Sequence, residues 1–157
     1  MLAGMPVIVV GADTGLGAAA IEALIPRPGD VRAFVTDPIH GAQLKERGVK
    51  VAVGDVSDGS HVGGAALGAF CAVLVPHCGF DDRERSFAED PEALVEAWTE
   101  AIAEAAVQRV IWLEHPLLAA PAERFPSPTE FAVVPTVDRP AADVAADVAR
   151  LDDAAAI

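Results

Sequence analysis

Four apolar residues, Val7 to Val10, run into a turn with glycines at 11, 15 and 17, and the small-residue stretch AAAIEALI follows at once. A buried strand, a tight reversal and a helix opening directly behind it restrict the fold more than any other part of the chain. The layout is that of a phosphate-binding turn. Glycine permits the reversal and a close approach of backbone N–H groups, and the helix N-terminus offers partial positive charge to a pyrophosphate. The spacing is G-x-x-x-G-x-G rather than G-x-G-x-x-G, so the turn alone is a weak signal that also fits a strand-to-helix connection that binds nothing.

The rest of the chain alternates strand and helix. VRAFV at 31–35, VKVAV at 49–53, CAVLV at 71–75 and RVIWL at 109–113 are strand-type runs. RPGD at 27–30 reads as a turn, and the loop TDPIHG precedes an amphipathic AQLKERG. GDVSDGS at 54–60 reads as a loop. The glycine-rich HVGGAALGAF is a poor helix former that still packs as a helix through its alanines and Leu67. Residues 76–90 read as a long loop with a short helical piece. Asp90 as N-cap and Pro91 at N1 open the strongest helix, 91–108, whose apolar stripe is Leu94, Val95, Trp98, Ile102 and Ala105. Glu92, Glu96, Glu100 and Glu104 form an acidic ridge on its other face, read as solvated. Between 116 and 140 lie six of the 12 prolines, so this stretch wraps the domain, with a short sixth strand at FAVV. An amphipathic helix carrying Val144, Val148 and Leu151 inward, and Asp143 and Asp147 outward, closes the chain.

Five strands joined by crossovers of a dozen or more residues imply a parallel sheet wound with helices on both faces, an α/β doubly wound single domain over 1–157. Right-handed crossovers and the glycine turn favour the order 3-2-1-4-5, in which ligands sit outside the carboxyl ends of the strands. A formal net charge of -13 argues against nucleic acid and anionic membranes as partners. The opening MLAGMPVIVV lacks a basic leader and no apolar run reaches membrane-span length, so a cytoplasmic protein is expected. Cys71 and Cys78 show no metal-ligand spacing, and no metal is expected.

Candidate site residues then follow from strand ends. Gly11, Asp13, Thr14, Gly15, Leu16 and Gly17 make the turn. Asp37 stands 20 residues beyond Gly17, just after the second strand, where a carboxylate accepts hydrogen bonds from a ribose. Asp55 and Val56 follow the third strand, where they reach an adenine edge. His77 and Cys78 end the fourth strand, and Glu114 and His115 the fifth. A histidine oriented by a carboxylate, either His115 with Glu114 or His77 with Asp81 or Asp82, is the expected general acid/base.

In combination VIVVGADTGLG, VRAFVTDP, GVKVAVGDVSD, ALGAFCAVLV and AAVQRVIWL resemble the running pattern of the short-chain dehydrogenase/reductase superfamily, in particular its atypical NmrA-like branch. The resemblance spans about residues 5–115. It implies a Rossmann-like domain binding NAD(P), with the GDVSD segment as the adenine-contacting turn, and a homodimer through the helices flanking the fourth and fifth strands. The superfamily's redox chemistry uses a Tyr-x-x-x-Lys pair, whereas this chain has no tyrosine and its lysines, Lys45 and Lys50, lie between the second and third strands. Thr36 and Asp37 stand where NADP-using relatives carry an arginine, so NAD is the expected cofactor and NADP the less favoured one. Asp13 adds negative charge beside the expected pyrophosphate and so points to modest affinity. Three functions stay open: an oxidoreductase on a small organic substrate, a non-catalytic nucleotide-binding redox sensor, and a non-redox cyclase, lyase or isomerase working through His and Glu.

Overall fold

A computed structural model describes residues 4–157; the first three residues of the opening stretch lie outside the described residues. The six strands are β1 (Gly4–Val10), β2 (Gly29–Val35), β3 (Lys50–Val53), β4 (Cys71–Leu74), β5 (Arg109–Leu113) and β6 (Glu130–Val134). The helices are α1 (Gly15–Leu24), α2 (Pro38–Glu46), α3 (Gly59–Ala66), α4 (Pro91–Glu104) and α5 (Ala141–Asp153). All strand pairs are parallel, in the order β3-β2-β1-β4-β5-β6. The expected order therefore holds, and the short sixth strand extends it beyond β5.

Alternate residues of the central strands feed two cores, one on each sheet face. Val7, Val9, Val73 and Ile111 pack with Ile21, Leu24, Val144 and Val148 of α1 and α5. Ile8, Val10, Ala72, Leu74 and Trp112 pack with Val62, Leu94, Trp98 and Ile102 of α3 and α4. Both faces are dry, which is why the strands read as unbroken apolar runs. Trp98 lies wholly inside, its indole Nε1 donating to the Val56 carbonyl at 2.7 Å.

Element boundaries differ from the sequence reading at several points. Pro38 begins α2, so the supposed loop TDPIHG supplies its first turn; Asp37 caps it by accepting from the Ile39 N–H at 2.9 Å. The glycines of α3 serve packing: a Cβ on Gly59 would lie 3.3 Å from the Ala97 carbonyl oxygen, and one on Gly63 would lie 3.4 Å from Ala101. Two helices thus approach closely where propensity alone argues against helix. And α4 stops at Glu104, because Ala106 turns to a φ of 59°.

The carboxyl end of the chain is fastened by Arg109. Its side chain is fully buried at the start of β5 and donates to the carbonyls of Leu151, Asp152 and Ala154 and to the Glu130 carboxylate. These carbonyls include orphans of the last turn of α5. Replacing Arg109 by alanine should lower unfolding free energy by about 3 kcal/mol, since buried acceptors lose a charged donor. Arg47→Ala, which removes a surface pair with Glu22, should cost under about 1 kcal/mol. Urea unfolding of both variants makes the comparison.

Candidate functional site

The carboxyl ends of β1, β2, β4 and β5 form one edge, and the glycine turn lies at its centre. Gly11 adopts a φ of +86°, and a Cβ there would sit 2.9 Å from the Val75 carbonyl oxygen and 3.2 Å from Cys78 Sγ. A Cβ on Gly17 would fall 2.1 Å from the Gly11 carbonyl oxygen, so α1 seats against the turn only through glycine. Gly15 differs. It is exposed, and a Cβ there would meet nothing within 4 Å. Thr14 caps α1, its Oγ1 accepting from the Gly17 N–H at 3.0 Å and donating to the Gly11 carbonyl at 2.8 Å. The N–H groups of Gly15 and Leu16, in the first turn, have no acceptor within the helix.

Asp13 does not point its charge at this helix end. Its side chain is only 4% exposed. Oδ2 accepts from the Thr36 and Asp37 N–H groups at 2.8 and 3.0 Å, and Oδ1 from Arg83 Nη1 at 2.7 Å. Burial alone would raise its pKa; the Arg83 and backbone donors outweigh that and hold the carboxyl below the usual range. Asp13 is thus engaged by Arg83 and two backbone N–H groups rather than presented to the helix end.

Arg83 is the residue that the sequence reading missed. It comes from the segment after β4, bridges Asp13 and Asp81, and sits 3.3 Å from Thr36 Oγ1. The same segment is tied down further along: Ser86 N–H donates to Asp55 Oδ2 at 2.7 Å and Phe87 N–H to Ser57 Oγ at 3.0 Å. Asp55 Oδ1 accepts from the Ser57 N–H and hydroxyl. Burial would push Asp55 up, yet these donors keep it low. Val56 is fully buried and turned inward. Asp37 uses one oxygen to cap α2 and stays exposed at the rim.

At the other end of the edge an aromatic cluster forms. The His115 ring stacks on Phe80 with centroids 3.8 Å apart and planes 6° off parallel, and His77 meets His115 edge-on at 4.9 Å. His115 Nδ1 accepts from the Leu117 N–H at 3.1 Å, which leaves the proton of the neutral ring on Nε2. His77 Nδ1 is buried with no hydrogen-bond partner among the described residues. Burial, then the neighbouring His115, lowers the His77 pKa to about 4; burial also lowers that of His115. None of the three expected histidine–carboxylate pairs, His115 with Glu114 and His77 with Asp81 or Asp82, forms. Glu114 instead accepts from the Thr136 N–H and, through its carbonyl, from the Thr136 hydroxyl, while Asp81 is held by Arg83 and Arg85. Cys78 is buried, which raises its thiol to about 12 and leaves it without thiolate character. No group of three His, Cys, Asp or Glu side chains is placed to hold a metal ion among the described residues. Nor, among the described residues, is any helix long and apolar enough to cross a membrane.

No protein-family model matches the sequence, and no curated protein matches it either. Solved structures do. ChuY, described as an anaerobillin reductase from Escherichia coli O157:H7, superposes with a TM-score of 0.70 at 18% identity, covering 97% of this chain and 92% of its own. The triphenylmethane reductase of Citrobacter sp. complexed with NADP(H) gives 0.59 at 18%, covering 95% of this chain and 46% of that one. The NADPH-dependent quinone oxidoreductase QOR2 of E. coli, complexed with NADPH, gives 0.56 at 20%, with 69% and 36% covered. The chain thus spans less than half the length of the last two and nearly all of ChuY. At such identities the likeness establishes a shared Rossmann-like α/β fold.

Because His77 stays neutral when folded but has an ordinary pKa of 6.5 when unfolded, the native state holds fewer protons between those values. Stability should fall as pH drops from about 6.5 towards 4, and His77→Gln should flatten that slope. The His77 ring protons, followed by NMR, should titrate near 4; a midpoint near the ordinary value would contradict the buried, partnerless placement.

Proposed function

We propose that this chain binds a nicotinamide dinucleotide along the carboxyl edge of the sheet, NAD in preference to NADP, and acts as an oxidoreductase on a small organic substrate. The observation that carries it is Gly15. Packing requires glycine at 11 and 17, but nothing in the fold fills the space a side chain at 15 would take. The gap lies at the N-terminus of α1, where backbone N–H groups are free to meet a pyrophosphate. The solved structures described with NADPH and NADP(H) share this fold and support a nicotinamide cofactor. Preference for NAD rests on the exposed Asp37 carboxylate at the end of β2, which accepts from ribose hydroxyls and repels a 2′-phosphate.

In this arrangement Gly15 and Leu16 hold the pyrophosphate, Thr14 and Gly17 fix the turn, and Asp55 positions the adenine side through Ser57 and Ser86. When bound, the cofactor supplies a hydride at its nicotinamide. With no tyrosine in the chain, the Nε2–H of neutral His115 donates a hydrogen bond to the substrate oxygen, a role a neutral imidazole can fill. His77 and Phe80 keep that ring fixed and partly dry. Glu114 acts at one remove, holding the end of β5 to the segment after β6. A second reading, nucleotide binding without turnover, is favoured by the absence of any histidine–carboxylate pair.

Thermal-shift titration separates these. NAD(H) should raise the melting temperature in proportion to RT ln(1 + [L]/Kd). Gly15→Val should abolish the shift while leaving the melting point of the free protein nearly unchanged, since a Cβ at 15 would meet nothing within 4 Å. No shift with NAD(H) or NADP(H) would sink the proposal. His115→Ala should keep the shift and lower kcat by about 100-fold, the usual cost of losing one donor to a developing oxyanion. Nucleotide binding with no turnover on carbonyl or quinone-type acceptors would favour the second reading.

A further inference from the structure

At the carboxyl end of β2 lies a cavity of about 210 Å3 lined by Asp13, Thr36, Asp37, Asp81, Asp82 and Arg83. If the dinucleotide lies as proposed above, this cavity receives the adenosine ribose, and its chemistry decides what the 2′ position carries. Four carboxylates face one guanidinium there. An arginine so placed would ordinarily read a phosphate through several N–H groups at once. Here those groups are already engaged. Arg83 Nη1 donates to Asp13 Oδ1 at 2.7 Å and to Thr36 Oγ1 at 3.3 Å; Nε donates to Asp81 at 2.8 and 2.9 Å; Nη2 meets Asp81 Oδ2 at 2.7 Å. Of the five N–H donors of a guanidinium, this leaves one. One donor suits a hydroxyl, whereas a 2′-phosphate needs more donors and a net positive cavity.

The two carboxylates that hold Arg83 are not equivalent. Asp13 is sealed at 4% exposure and also carries the N–H groups of Thr36 and Asp37, so it belongs to the turn itself. Asp81 is exposed at 36% and lies on the segment after β4, outside the sheet. Its carboxylate takes the whole Nε–Nη2 side of Arg83, the side suited to a bidentate partner. We propose that Asp81 is a second specificity-determining residue of the nucleotide site, beside Asp37: by occupying that side of Arg83 it makes the cavity accept a 2′-hydroxyl ribose and exclude a 2′-phosphate. The inference rests on the dinucleotide reading of the edge and adds to it a residue distant in sequence from both the glycine turn and the end of β2.

Asparagine at 81 keeps an oxygen for the Arg83 N–H that Asp81 Oδ1 accepts at 3.2 Å but removes the charge and weakens the hold on the guanidinium. Calorimetric titration of wild type with NAD and NADP should show NAD binding about tenfold or more tightly, the effect of a net repulsion near a dianion. Asp81→Asn should tighten NADP by about tenfold while NAD changes less than about threefold, and adding Arg83→Gln to Asp81→Asn should remove that gain. A wild-type measurement needs no variant: raising KCl from 50 to 300 mM, values chosen to span a severalfold change in screening, should improve NADP relative to NAD, because it screens repulsion. Equal affinity for the two nucleotides in wild type, an unchanged ratio in Asp81→Asn, a gain that survives Arg83→Gln, or salt that weakens NADP preferentially would each overturn the proposal. Failure of the dinucleotide reading looks different: neither nucleotide binds to wild type or to any variant.

Discussion

One carboxylate organises the functional edge. Asp13 sits in the turn after β1, nearly sealed from solvent, and collects two backbone N–H groups from the end of β2 and the guanidinium of Arg83 from the segment after β4. Removing such a charge from water is costly unless donors replace the lost hydration. Here three donors do, which is why the group stays ionised despite its burial. The consequence is geometric. Three chain segments that meet at the point where strand order reverses are fixed relative to one another by a single side chain. Gly11, Thr14 and Gly17 then set the turn against α1, and the cavity at the end of β2 acquires its walls.

The edge is chemically unlike at its two ends. Towards β2 and β3 it is hydrogen-bonded and acidic: Asp13, Asp37, Asp81 and Asp82 line a cavity with the largely buried Arg83, and Asp55 follows β3, held by Ser57 and Ser86. Towards β4 and β5 it is aromatic and neutral, with Phe80 stacked on His115 and His77 held uncharged by burial. The proposed dinucleotide has matching ends: a hydroxyl-rich adenosine for the acidic side and a flat nicotinamide beside a ring platform. The lowered histidine pKa values have the same origin as the platform, since both follow from packing imidazoles against apolar surface.

Much of the fold was legible in the sequence because both faces of the sheet are buried, so the strands announce themselves as apolar runs and the glycine turn marks the start of the winding. The Asp90–Pro91 start of α4 was legible too, being a local cap with a fixed spacing. What escaped was non-local. Arg83 lies 70 residues from Asp13, and no periodicity or spacing ties the two together. For the same reason Asp13 read as a charge aimed at phosphate when it is a brace. The expected histidine–carboxylate pairs failed because closer partners, Thr136 for Glu114 and the arginines for Asp81, satisfied the acids first. The helix of α3 was readable despite its glycines, which weaken it as an isolated segment but allow its contact with α4.

Where a nicotinamide dinucleotide lies decides the role of this edge. Titration of isotopically labelled protein with NAD, followed through backbone amide and histidine ring resonances, tests this directly. The amides of Gly15, Leu16 and Gly17 and the ring protons of His77 and His115 should shift together along one binding curve, with Asp37 and Ser86 amides following it. Shifts confined to another surface, such as the groove between α3 and α4, or an unperturbed Gly15–Gly17 segment at saturating nucleotide, would contradict it.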